Sequence, residues 1–150
     1  MLKYTNYNVV FQEVPNEVTL AINISGCPNK CKGCHSPYLM QDIGEWLTIS
    51  VLNNFIVKYG ESITCICFMG GDNNPKEVEH LATHIKQSTH LKTAWYSGKN
   101  LLPDNISPLN FNFIKLGPYI QELGALKSPT TNQRFYEIIN GKMVDKTHLF

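Results

Sequence analysis

Three cysteines stand within eight residues in Gly26-Cys27-Pro28-Asn29-Lys30-Cys31-Lys32-Gly33-Cys34-His35, a CxxxCxxC pattern. Thiols at that density ask for a metal or redox explanation. Three thiolates on one short loop can hold three irons of a cubane iron–sulfur cluster, and the fourth iron then keeps an open position for substrate. Gly26 and Gly33 let the backbone fold tightly around an inorganic core. Other chemistries compete for the same residues. Cys31-Lys32-Gly33-Cys34-His35 matches the CxxCH haem attachment motif, which would require export. A zinc site of Cys27, Cys31, Cys34 and His35 has the right number of ligands. Against it, His35 adjoins Cys34 and is badly placed to reach the same ion. A thioredoxin-like CxxC uses Cys31 and Cys34 but leaves Cys27 idle. The loop is too polar for a chance cluster of core thiols.

Further along, Gly70-Gly71-Asp72 ends an apolar run and reads either as an ordinary turn or as a close backbone approach to a ligand. His80 and His84 sit four apart on a helical pattern, opposite its apolar face and without an HExxH glutamate, so they read as solvated. Cys65 and Cys67 alternate within a strand and read as buried thiols. Phe111 and Phe113 read as core.

The elements that must carry these residues follow from periodicity. Leu20, Ile22 and Ile24 alternate with Thr19, Ala21 and Asn23, which makes Val18–Ser25 a strand running straight into the cysteine loop. Thr48 caps a helix with Leu52, Phe55, Ile56 and Tyr59 on one face, closed by Gly60. Ser62–Met69 is apolar on both faces, as a covered parallel strand should be. Pro75 opens a second helix with Val78, Leu81, Ala82 and Ile85 inward. Leu91–Tyr96, Phe111–Leu116 and Arg134–Ile139 complete the strands. Strand–helix alternation predicts an α/β fold with a mostly parallel sheet and right-handed crossovers. A complete eight-stranded barrel needs roughly 200 residues or more, so the expectation is a partial, open (β/α) barrel. The loops after the strands would then converge on one face, bringing Cys27–His35, Gly70–Asp72, Ser97-Gly98 and Gly117-Pro118 to a single site.

Composition narrows the class. The chain has 150 residues, 43% hydrophobic and 17% charged, which describes one globular domain over residues 1–150. A formal net charge of +1 provides no field for nucleic acid or anionic membrane. No apolar run reaches the ~18 residues of a membrane span. Met1-Leu2-Lys3-Tyr4-Thr5-Asn6 lacks the features of a secretory leader. The expected setting is therefore the reducing cytoplasm, where five cysteines are thiols rather than a disulfide framework.

Several of these segments resemble one family. The CxxxCxxC loop after the first strand resembles the signature of the radical S-adenosylmethionine (SAM) superfamily. Met69-Gly70-Gly71-Asp72 is similar to that superfamily's second-strand GGE-type motif, in a GGD form. Trp95-Tyr96-Ser97-Gly98, Gly117-Pro118-Tyr119 and Thr131-Asn132-Gln133-Arg134 resemble segments of the subfamily that activates anaerobic ribonucleoside-triphosphate reductase. The resemblance runs from Leu20 to Tyr136. It departs from the pattern where Gly33 and His35, rather than an aromatic residue, flank Cys34. It departs again where Val14-Pro15-Asn16-Glu17 stands in place of a Gly-Pro-Gly element, and where Leu116-Gly117 replaces Asp-Gly.

The resemblance implies a [4Fe–4S] cluster on Cys27, Cys31 and Cys34, with S-adenosylmethionine chelating the unique iron. It implies cofactor contacts at Gly33, Cys34, His35, Gly70, Gly71, Asp72 and Ser97, and no catalytic side chain beyond cluster and cofactor. It implies reductive cleavage of the sulfonium and transfer of the radical to a glycine of the large anaerobic ribonucleotide reductase subunit. Asn132 and Arg134 would meet that partner, and a flavodoxin-type protein would supply the electron.

Overall fold

Leu20, Ile22 and Ile24 place one face of the strand β2 (Thr19–Ile24) in the core, where all three are fully buried. The same alternation builds the neighbouring strands in the computed structural model, which describes every residue from Met1 to Phe150. Beside β2 runs β4 (Cys65–Met69), then β5 (Lys92–Tyr96) and β6 (Phe113–Leu116), all parallel. Antiparallel strands extend both edges: β1 (Leu2–Val10) and β3 (Glu45–Leu47) beyond β2, and β7 (Arg134–Ile139) and β8 (Lys142–Asp145) beyond β6. The result is one eight-stranded sheet in the order β3-β1-β2-β4-β5-β6-β7-β8.

The expectation of an α/β fold around parallel strands holds in this coarser form, a mixed α/β protein with a single sheet. The expected mostly parallel sheet is corrected by the four antiparallel pairings that flank three parallel ones. A partial barrel wants a helix after each strand, and here only two α-helices form, α1 (Ile49–Tyr59) and α2 (Pro75–Ser88). Between β5 and β6 the chain crosses instead through a loop and a short 3-10 turn at Pro108–Asn110.

Both helices begin where the sequence caps them. The Thr48 side chain accepts from the Val51 amide and the Asn74 side chain from that of Glu77, each satisfying an otherwise orphaned N–H. Leu52 and Phe55 of α1 and Val78, Leu81, Ala82 and Ile85 of α2 pack on one face of the sheet against Ile66, Phe68, Trp95 and Ile114. Burying each such large aliphatic side chain stabilises the fold by ~1.5–3 kcal/mol.

The opposite face carries the residues of alternate parity. Cys65 and Cys67 of β4, Ala94 of β5, Phe113 of β6 and Phe135 of β7 form a smaller cluster with Val14, and Met69, Tyr96, Leu126 and Phe150 pack against it. No helix covers this face. The residues around Val14 and Leu126, together with the C-terminal Phe150, form its thin lid, and they leave space beneath it near the C-terminal ends of the parallel strands. No helix of the chain is long and apolar enough to cross a membrane.

Candidate functional site

The cysteine loop starts where β2 ends and is shaped by its own backbone. The amides of Gly26 and Cys27 donate to the carbonyls of Gln41 and Leu39, at 3.0 and 2.8 Å, which folds residues 26–41 back on themselves. Ser25 Oγ secures the return by donating to Ile43 O at 2.6 Å. Inside this fold, Cys27, Cys31 and Cys34 together line one small cavity of about 90 Å³, with Ile24, Met69 and Gly70 among its other walls. All three are free thiols, partly exposed. Two sulfurs receive N–H donors: Ser36 N to Cys34 Sγ at 3.4 Å and Asn29 Nδ2 to Cys27 Sγ at 3.5 Å. Hydrogen-bond donors aimed at ligating sulfurs tune a cluster that those sulfurs hold. The His35 ring lies beside that of Tyr119, tilted 54° to it, with centroids 5.1 Å apart.

Asp72 ties this loop to the sheet. One carboxylate oxygen accepts from Ser97 Oγ at 2.6 Å, and the other accepts from Asn29 Nδ2 at 2.6 Å and Gly98 N at 2.8 Å. Hydrogen bonds to an ionised acceptor contribute about 1.5–3 kcal/mol each, so this one side chain clamps the ends of β4 and β5 to the cysteine loop. The close approach explains Gly98, because a Cβ there would lie 2.4 Å from Asn29 Nδ2.

The structure distributes the sequence-derived contact residues unevenly. Gly33, with φ +76°, faces the Gln121 side chain, and His35 lines a larger cavity beside the thiols. Gly70 borders the cysteine cavity. Gly71 does not, since an added Cβ would point into the core and meet Val78 Cγ2 at 2.5 Å. Ser97 is fully buried and committed to Asp72 and to the amide of Lys99. Neither Asn132 nor Arg134 lines the larger cavity. Asn132 Nδ2 donates to Pro118 O at 3.0 Å, and Arg134 lies 3.8 Å from Asp145 of β8.

That larger cavity, about 470 Å³, adjoins the cysteine cavity through the shared residues Cys34, Ser36 and Met69. Across its floor Met69, Tyr96 and Lys115 stand side by side on β4, β5 and β6, in direct register. Lys115 was not singled out from sequence. Its Nζ donates to Ser97 O at 3.1 Å and Gly117 O at 2.8 Å and meets no carboxylate. Burial pulls its pKa down to about 8, although Asp72 and the thiols of Cys31 and Cys27 push the other way. Such a cation is poised to take an anionic group.

The other early candidates play no part here. His84 bonds to Asn53 and His80 lies beside Glu77, each at the surface of α2. Cys65 and Cys67 are fully buried, and burial raises both thiol pKa values, that of Cys65 to about 12. They are core thiols.

A mixed α/β sheet that presents three thiols on the loop after its first parallel strand defines a class of iron–sulfur protein. Residues 17–106 match the model of the 4Fe-4S single cluster domain, more than half of the chain, and the protein belongs to that family. No curated protein and no solved structure matches the chain. The donor set fits the cluster. Three thiols border one cavity, and a cluster held by Cys27, Cys31 and Cys34 would keep one iron without a protein ligand.

Proposed function

We propose that this chain is a radical SAM activating enzyme. In this reading Cys27, Cys31 and Cys34 hold the [4Fe–4S] cluster, S-adenosylmethionine occupies the adjoining cavity, and the product is a glycyl radical on anaerobic ribonucleoside-triphosphate reductase. The observation that carries it is the junction of two cavities: the thiol-lined one shares Cys34, Ser36 and Met69 with a larger one that holds a half-buried lysine without a carboxylate partner. Cluster and cofactor together supply one-electron cleavage of a sulfonium bond. The protein's part is to bind, orient and exclude water.

Lys115 would hold the cofactor carboxylate as a charge-assisted partner. The backbone at Gly70 and the loop at Gly33, Cys34 and His35 would border the cofactor. Asp72 and Ser97 would act by fixing the loop, with Asp72 keeping spare acceptor capacity toward an ammonium. The sheet, with its parallel strand ends converging on the cavity, supplies the working half of an open barrel. The whole chain acts as one domain in the cytoplasm, with a flavodoxin-type protein as electron donor, and Arg134 lies on an outer face where the large reductase subunit would dock.

The test is anaerobic reconstitution with iron and sulfide. About four irons per chain with broad absorption near ~400 nm are expected from cluster charge transfer. Dithionite and S-adenosylmethionine should then yield methionine and 5′-deoxyadenosine, and added reductase subunit should show a glycyl radical by electron paramagnetic resonance. Tightly bound zinc with no visible absorption would overturn the reading in favour of a zinc module. Cofactor cleavage without radical on the reductase would move the target to another protein or a small molecule.

A further inference from the structure

Strand parity puts one more polar side chain on the inner face. Counting back from Phe135, which pairs with Lys115, the next residue of the same parity is Gln133. Gln133 is 5% exposed and lines the 470 Å³ cavity. Its backbone is fixed from both sides. Its amide N–H donates to Thr131 Oγ1 at 3.0 Å, and its Cα would lie 3.0 Å from a Cβ at Gly117. Its side chain is almost idle by contrast. Nε2 makes one long bond, 3.5 Å to Gly117 O, and Oε1 has no protein partner. Oε1 is also absent from the fully enclosed unpaired atoms, Thr19 Oγ1 and Asn132 Oδ1, so it faces open cavity. A carboxamide that shows a free acceptor and a spare donor to a cavity can be completed by a ligand offering one donor and one acceptor.

We infer that Gln133 is a positioning residue that pairs, through Oε1 and the spare Nε2 proton, with the backbone amide of a polypeptide segment entering the cavity. The group is uncharged and offers one donor and one acceptor side by side, which complements a peptide unit's C=O and N–H. Its surroundings, Tyr96, Leu126 and Phe150, are apolar or aromatic, suited to a neutral main chain with little side chain. A flat purine has a better place on the other side of the cavity, where His35 and Tyr119 present rings. This inference rests on the reading that the target is a protein, and it names what on that target is recognised. It also moves target recognition from Asn132 and Arg134 to the residue between them.

The experiment uses the cluster-loaded protein under anaerobic conditions, with S-adenosylmethionine but no reductant, so that nothing turns over. Calorimetric titration with acetyl-Ala-Gly-Ala-amide is compared with the same peptide carrying sarcosine for glycine, which removes one N–H. Wild type should bind the glycine peptide roughly tenfold more tightly, the worth of one well-made hydrogen bond. Gln133→Leu, similar in volume, should bind both peptides equally, at the weaker level, and Gln133→Glu, which keeps the acceptor, should restore much of the discrimination. A Gln133→Leu protein that still discriminates, or a wild type that binds neither peptide, would overturn the inference. So would a Gln133→Leu protein whose defect lies in affinity for S-adenosylmethionine, since that would place the purine at Gln133. Because no turnover is read, failure of cofactor cleavage with peptide discrimination intact would sink the enzymatic reading alone.

Discussion

The five cysteines separate by surroundings, which carries further than their spacing. Cys27, Cys31 and Cys34 are partly exposed around one cavity, whereas Cys65 and Cys67 lie sealed under Tyr96 and Phe135 with their thiols held protonated by burial. Replacing any one of the first three with Ser should cut bound iron after reconstitution to less than half of wild type. Cys65→Ala or Cys67→Ala should leave iron content unchanged and cost about 1 kcal/mol in denaturant unfolding, because each removes a small buried group. The glycines divide in the same way. Gly71→Val drives a side chain into Val78 and should cost several kcal/mol, on the scale of ~1–3 or more for overpacking plus strain at φ +99°. Asp72→Asn should instead spare unfolding midpoint more than iron retention, since it weakens the clamp on the cysteine loop. A Gly71→Val protein of wild-type stability would contradict the core placement.

At the scale of elements, α2 is held to the crossing loop by Glu79. Burial alone would raise this carboxyl, but the Ser107 amide at 2.8 Å and Lys76 at 3.0 Å outweigh it and hold the pKa below its ordinary value. A depressed carboxylate stabilises the fold above its unfolded value of about 4.3 and loses that contribution as pH falls through the lower folded value. Glu79→Gln should therefore lower stability by about 1–2 kcal/mol at pH 7, with the gap to wild type closing below pH 4 in urea titrations. A gap that persists at pH 3 would assign the loss to packing instead.

Much of this level was legible in the sequence. Thr48, Gly60 and Pro75 marked the helix ends, alternation located β2, a run apolar on both faces located β4, and β5, β6 and β7 were found as strands as well. What it missed has physical causes. In β1, Lys3 and Thr5 alternate with buried Leu2 and Tyr4, but a register shift between Tyr4 and Asn6 breaks the rhythm after that. The two edge pairs, β1 with β3 and β7 with β8, are local antiparallel additions that a strand–helix rhythm does not announce. The family resemblance put Asn132 and Arg134 forward, yet Asn132 is tied to Pro118 and Arg134 lies beside Asp145, and the cavity receives Gln133 instead. A residue-by-residue reading fixes which side chain faces inward only when the register of the strand is known.

For the molecule as a whole, the question is what the uncovered face of the sheet receives. Lys115 stands on its floor beside Met69 and Tyr96, and its pKa of about 8 sets a working range. Below pH 8 the site offers a positive charge to a carboxylate. Above it, binding must first supply a proton, so affinity should weaken as pH rises. Equilibrium dialysis should show S-adenosylmethionine binding to the loaded protein falling between pH 7.5 and 9.5. Lys115→Met should bind about tenfold more weakly at pH 7 and lose most of that pH dependence, since tenfold corresponds to ~1.4 kcal/mol, typical of one charge-assisted bond. Unchanged affinity in Lys115→Met would leave the cation serving the cysteine loop alone.

The chain also divides its duties along its length. The cysteines, Asp72 and Ser97 all fall within the residues that match the family, 17–106, whereas Lys115, Gln133 and the Phe150 that closes the cavity lie beyond them. The clamp that shapes the loop uses Asn29, Asp72, Ser97 and Gly98, with no side chain from the last third of the sequence. Mutation in that last third is therefore free to redraw what the cavity admits without loosening the hydrogen bonds that shape the cysteine loop. A lineage built on this plan can exchange targets while inheriting its cradle of thiols unaltered.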